Sequence, residues 1–358
     1  MPDVYSKWMR FHATKLVLSD DSVSWTVIDA DGVPVDTVEE FLAWRSLRSS
    51  PLTVRRYAFA LAAFFDFLAD ANVEWERVTL RVMASFVTEL RDNGARAAST
   101  VNTTLSGVVA FYEFEVRHGC DVASQLTEWR QIVARRHKQF LAGLASGTRV
   151  RRSALTLPEP VRRPATVTLD QFGQLLDACS TLRDRFLLSL LHATGMRVGQ
   201  ALGLWHRDMR TWDGVIDIVP RDGNVNGARA KTSETHTVFV TSEIGRLYSD
   251  YVADECDGIE GPFVFVCLHG RSRGRPWSYA GVDRVVRTLR ARTGIDLRLH
   301  ALRHTHATDL LRGGVPIEIA SKRLTHSSVA TTADVYAHLD DDDVATAMRA
   351  YWSRRGVK

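Results

Sequence analysis

His300-Ala301-Leu302-Arg303-His304 sets an imidazole and a guanidinium three residues apart, so on a helix they share one face. Such a pair suits an anion that needs both charge neutralisation and proton transfer. Two plainer readings compete: a solvated helix face, or a metal site built from His300 and His304 at i and i+4 with His306 close by. The metal reading is the weaker, because Ala301 stands where a zinc-protease helix carries its glutamate and no carboxylate nearby completes a set. Further on, Leu324-Thr325-His326 is followed by Thr331-Thr332-Ala333-Asp334-Val335-Tyr336-Ala337-His338. A tyrosine ten residues after a histidine carries no message by itself, since core and capping tyrosines are the common case. Upstream, Ala193-Thr194-Gly195-Met196-Arg197 reads as a helix closed by a C′ glycine, with Arg197 opening a second helix over 198–205.

Working outward, helices are expected from Tyr279 to the chain end. Strand-like runs at Val215–Val219 and His236–Val240 bracket a polar loop that contains Lys231. Thr168-Leu169-Asp170-Gln171 matches a capping box and opens a domain over 166–358. The stretch 130–163 holds nine lysines and arginines against one acid, Glu159, with prolines 158, 160 and 164 at its end. By composition it reads as a linker, assigned to 141–165, and its single sign suggests a strap across a phosphate backbone through Arg149, Arg151 and Arg152. Before it, residues 37–140 show four amphipathic helical patterns. One starts at Ser50-Pro51, an N-cap followed by an N1 proline, and another is expected to start at a Ser99 cap. Arg55, Arg56 and Arg96 are the candidate DNA contacts of this bundle. Residues 1–36 read as short β segments. With three bases against six acids they suit a β appendage on the bundle better than a separate DNA-binding module.

Composition sets wide bounds. The 358 residues are 45% apolar and 25% charged, with net charge +4 and pI about 8.9, which suits folded domains and allows nucleic acid without requiring it. Forty of the 46 bases are arginine; a GC-rich genome explains that as well as phosphate recognition does. The four cysteines form no metal-ligand spacing, and no signal peptide or apolar span is visible. A cytoplasmic, nucleoid-associated bacterial protein with no membrane partner is the expectation. No Walker motif or carboxylate pair points to ATP or magnesium.

In this order the clusters resemble the catalytic signature of the tyrosine recombinases (phage integrases, Xer and Cre-type enzymes, transposon-borne integrases), over roughly residues 37–340. The resemblance implies a mainly α fold with a small β-sheet. An amino-terminal helical bundle, the SAM-like core-binding domain, would precede a mixed α/β catalytic domain with a carboxy-terminal docking helix. The two would close as a clamp on duplex DNA. It implies Arg197 as the first catalytic arginine, His300 and Arg303 as the His-x-x-Arg pair, His326 as the later histidine, Tyr336 as nucleophile and Lys231 as the hairpin lysine. It also implies double-stranded DNA with inverted core sites, a homotetramer on synapsed DNA, a monomer or weak dimer when free, and no cofactor. The reaction would be integration or excision of a mobile element through a 3′-phosphotyrosyl link. The rival activities are a type IB topoisomerase or telomere resolvase, and a DNA-binding regulator that has lost catalysis. Three positions depart from the family pattern: Gln200 for an acid, Thr325 for the glycine before His326, and Ala301 for an aspartate.

Overall fold

In the computed structural model, which describes residues 10–17, 23–92, 96–132, 148–153, 155–159, 165–221, 223–230 and 234–325 (127–132 and 148–153 by backbone only), the chain divides into two units, Met1–Val161 and Arg162–Lys358.

The first unit is a bundle of α1 (Asp36–Ser46), α2 (Pro51–Ala71), α3 (Leu80–Asp92) and α4 (Ala98–Glu115), with a short α5 (Ala123–Leu126). Ser50 Oγ accepts from the Thr53 amide at 3.2 Å, and Pro51 takes the first helical position. At its other end α2 stops on Asn72, in the left-handed region at φ 52°. Its buried stripe of Val54, Ala58, Leu61, Phe64 and Leu68 packs on Val101, Leu105, Val108 and Tyr112 of α4. Gly107 permits the close crossing, since a Cβ there would lie 3.0 Å from Ala60 Cβ. Aromatic rings fill the centre edge to face, as in Phe64 on Phe86 at 5.0 Å and 65°, a favoured arrangement.

The hairpin β1 (His12–Val17) and β2 (Val23–Ile28) lies on α2. Val27 is fully buried, Phe11 meets Phe65 edge-on, and Asp66 accepts the amides of Arg10 and Phe11. These contacts make the hairpin part of the bundle core. Two expectations need correction. Helix α4 starts at Ala98 without a side-chain cap, because its N-cap residue is Ala97, whose methyl offers no acceptor; Ser99 sits inside the first turn. The stretch read as linker, 141–165, contains a strand, β4 (Thr148–Ser153), which pairs antiparallel with β3 (Thr127–Ile132) of the span read as helical bundle, in register Thr127↔Ser153 to Ile132↔Thr148. Charge density hides the alternation of Thr148 and Val150 there.

The second unit begins with α6 (Leu169–Asp177) and α7 (Leu182–Thr194). Thr168 and Gln171 form a reciprocal capping box, and α7 buries Leu187, Leu188, Leu190 and Leu191. Next comes α8 (Val198–Leu202), shorter than the expected 198–205. The Gly203 amide tightens onto the Gly199 and Gln200 carbonyls, and Trp205 then leaves to bridge Phe263. Strands β5 (Val215–Ile218) and β6 (His236–Phe239) pair antiparallel from Val215↔Phe239 to Ile218↔His236. They are followed by α9 (Ser242–Glu255), α10 (Tyr279–Thr293), α11 (Leu299–Arg312) and α12 (Ile317–Arg323). A stack of Phe186, Tyr251 and Phe265 centres the core. No helix of the described residues is long and apolar enough to cross a membrane.

Candidate active site

The site grows from the corner where α7 ends. Gly195 has φ 65°, a conformation open to glycine at little cost, and a Cβ there would meet both His306 Cδ2 and Leu324 Cδ2 at 2.7 Å. The missing side chain thus lets three segments converge: the 195–197 corner, α11 and the turn after α12. Arg303, 3% exposed, joins them by donating from Nη1 to the Gly195 carbonyl at 2.7 Å and from Nη2 to the Leu324 carbonyl.

Arg197 is half-buried at the start of α8, with Nη1 donating to Thr325 Oγ1 at 3.1 Å. Its backbone amide donates to Gln200 Oε1 at 2.7 Å, and Gln200 Nε2 donates to the same Thr325 oxygen at 3.1 Å. Burial and the neighbouring Arg197 push the Arg303 guanidinium down to about 9; burial also lowers Arg197. Both remain charged at neutral pH. Neither has a carboxylate partner among the described residues, whereas the buried Arg183 and the partly buried Arg221 pair with Asp184 and Asp208. His300, on the solvent side of α11, is held below its ordinary value by partial desolvation, then by Arg303 and Arg197. It is a neutral imidazole near pH 7, able to accept a proton. The structure therefore gathers Arg197, His300 and Arg303 within electrostatic reach of one another.

His306 has a different job. Arg323 Nε donates to its Nε2 at 3.0 Å, and Arg323 Nη2 continues to the carbonyls of Ala193 and Phe239. That nitrogen is occupied, and among the described residues no group of three His, Cys, Asp or Glu is placed to hold a metal ion.

Lys231, His326 and Tyr336 lie outside the described residues. The chain leading to Lys231 is anchored: Asn226 Nδ2 donates to the Leu202 and Trp277 carbonyls. The Arg229 carbonyl lies so near α8 that a Cβ on Gly199 would sit 2.6 Å from it. In the first unit Arg55 and Arg56 are exposed on α2, Arg55 lying over the rings of Trp25 and Phe59. Arg96 is exposed beside a small cavity it shares with Asp66, Asp70 and Glu89. Arg149, Arg151 and Arg152 all fall in β4. Sequence reasoning marked Gln200 and Thr325 only as departures and missed that they bond to each other. The one available signal was that both depart in the same chain.

The chain matches the model of the phage integrase family over residues 165–343 and that of the phage integrase N-terminal SAM-like domain over 38–119. It is 32% identical over 348 residues to transposase A from transposon Tn554 of Staphylococcus aureus, covering 93% of this chain and 96% of that one. It is 24% identical over 322 residues to tyrosine recombinase XerD of Chlorobaculum tepidum, covering 89% and 96%. Among solved structures, XerH site-specific recombinase bound to palindromic difH in a post-cleavage complex shares the fold. The TM-score is 0.60 at 16% identity, over 88% of this chain and 89% of that one.

Proposed function

The chain belongs to the phage integrase family, a family of DNA breaking and rejoining enzymes, and from that premise we propose that its site performs phosphodiester exchange through Tyr336 in recombining the ends of a mobile element. The observation that carries this is the pair of crowded guanidinium groups of Arg197 and Arg303, which have no carboxylate partner among the described residues. A buried cation without a partner is strongly unfavourable, and an anion repays that cost. A phosphodiester fits, because charge grows on its non-bridging oxygens as a nucleophile approaches and fixed donors offset that charge.

In this reading Tyr336 Oη forms a bond to phosphorus while the bond to the 5′-oxygen breaks. The phenol proton passes to neutral His300. Lys231 protonates the leaving 5′-oxygen, and His326 adds a further polar group beside Thr325. The product is a 3′-phosphotyrosyl link, whose bond energy is retained until a 5′-hydroxyl of another strand reverses the step, so no cofactor is required. The partner is double-stranded DNA, bound as a homotetramer on synapsed, inverted core sites. Resemblance to transposase A from transposon Tn554 supports a mobile element as the substrate.

The test is covalent capture. The full-length protein is incubated with nicked duplexes carrying the sequences that border its gene, so that the freed 5′-strand diffuses away. A protein–DNA adduct resistant to denaturant is expected for wild type, and peptide mapping should place it on Tyr336. Tyr336→Phe should bind the same duplex and form no adduct. An adduct that persists in that variant removes Tyr336 as the nucleophile.

A further inference from the structure

We propose that Thr325 is a direct ligand of the scissile phosphate, its hydroxyl donating to a non-bridging oxygen beside Arg197 and Arg303. The inference rests on the phosphodiester reading above and comes from hydrogen-bond accounting. The Arg197 backbone N–H can only donate, and it meets one end of the Gln200 amide at 2.7 Å. That end is therefore the oxygen, and the other end, 3.1 Å from Thr325 Oγ1, is the NH₂ donor. Arg197 Nη1, which also can only donate, reaches the same hydroxyl oxygen at 3.1 Å. A threonine hydroxyl has two acceptor lone pairs and one hydrogen. Both lone pairs are occupied, so the hydrogen points away from Arg197 and Gln200, and no acceptor for it is present among the described residues. Two donors feeding one oxygen also polarise its O–H and make it a stronger donor.

The backbone supports the same conclusion. Thr325 has φ 54°, a region that β-branched residues avoid and glycine occupies freely. Holding a threonine there costs of order 1–3 kcal/mol, and such residues concentrate at functional sites. A glycine would close the turn without strain, so the hydroxyl is what the threonine adds. Gln200 follows as a positioning residue. A carboxylate at 200 would still accept from the Arg197 amide, but it would offer Thr325 no donor.

The experiment measures single-turnover cleavage by the full-length protein at saturating DNA, on the nicked duplex where the Tyr336 adduct is mapped. Thr325→Val keeps the shape and removes the hydroxyl; Thr325→Gly removes the hydroxyl and the strain together. Both should slow cleavage by about 10²-fold, the scale for losing one preorganised donor, with little change in Kd. Thr325→Ser should restore most of the rate. In Thr325→Gly the relief of strain offsets part of the cost of unpairing Gln200 and Arg197, and an unchanged Kd separates its slow cleavage from misfolding. With a methylphosphonate at the scissile position, wild type and Thr325→Val should converge on the diastereomer lacking the bound oxygen and differ on the other. Wild-type cleavage by Thr325→Gly, or equal slowing of Thr325→Val on both diastereomers, would overturn the proposal and leave a turn-holding role. Absence of any adduct from wild type would instead sink the phosphodiester reading on which it rests.

Discussion

Arg323 and His306 show how a charged group near the site is made harmless. Burial, Arg323 and His192 hold His306 down to about 3, against about 6.5 for an unfolded histidine. Between those values the unfolded chain binds a proton that the folded chain refuses. Stability is therefore complete above about pH 6.5 and falls as pH drops toward 3, by up to about 1.4 kcal/mol per pH unit for this one group. His306→Gln retains an acceptor for Arg323 and has no proton to gain. Its melting temperature should fall less than that of wild type between pH 7 and pH 5, as read by calorimetry; parallel curves would assign the acid sensitivity elsewhere. Such roles are hard to see in sequence, where His300, His304 and His306 look alike. Only the Nε2 contact to Arg323 distinguishes the last as structural.

Elements differ in legibility for a physical reason. The Ser50-Pro51 start, the Thr168 capping box and the Gly195 stop are decided by neighbours within four residues, and sequence shows them. The end of α8 is set by a bridge from Trp205 to Phe263, and the Gln200–Thr325 bond joins residues 125 apart; a local reading reaches neither. Arg197, His300 and Arg303 are legible as motif residues, but not the absence of a counter-acid around them among the described residues. The β3–β4 ladder also escapes, and it changes how its arginines are to be tested. A strand repeats every two residues, so Arg149 and Arg151 are in phase and Arg152 is not. Each phosphate neutralised contributes about 0.9 to the salt slope of binding. Replacing all three with Gln should lower that slope by about 2–3 units if all make contacts, equally on specific and random DNA. The Arg149–Arg151 pair should account for most of it. An unchanged slope in filter binding across salt concentrations would mean that these charges meet only solvent.

At the scale of the whole molecule, each unit has its own core, and the amino-terminal hairpin belongs to the first of them. Deleting residues 1–36 exposes α2 where Phe11, Trp25 and Val27 cover it. Loss of Val27 alone costs about 1.5–3 kcal/mol. The truncated protein should therefore unfold at lower denaturant, while whatever remains folded keeps the affinity and salt slope of the full chain on its core site. Loss of a second, distant footprint would instead identify the hairpin as a DNA-binding arm. The Arg197–Arg303 pair, without a carboxylate partner among the described residues, also bears on how long each copy survives in a cell. Until an anion arrives, the two charges repel inside a partly desolvated corner, so the unoccupied protein is the less stable form. DNA at a hundred times its Kd adds about 2.7 kcal/mol, which makes a bound copy roughly a hundredfold less often unfolded than a free one. Proteolysis that samples the unfolded state then falls on idle copies first, and the supply of recombinase is trimmed toward the number of sites that can use it.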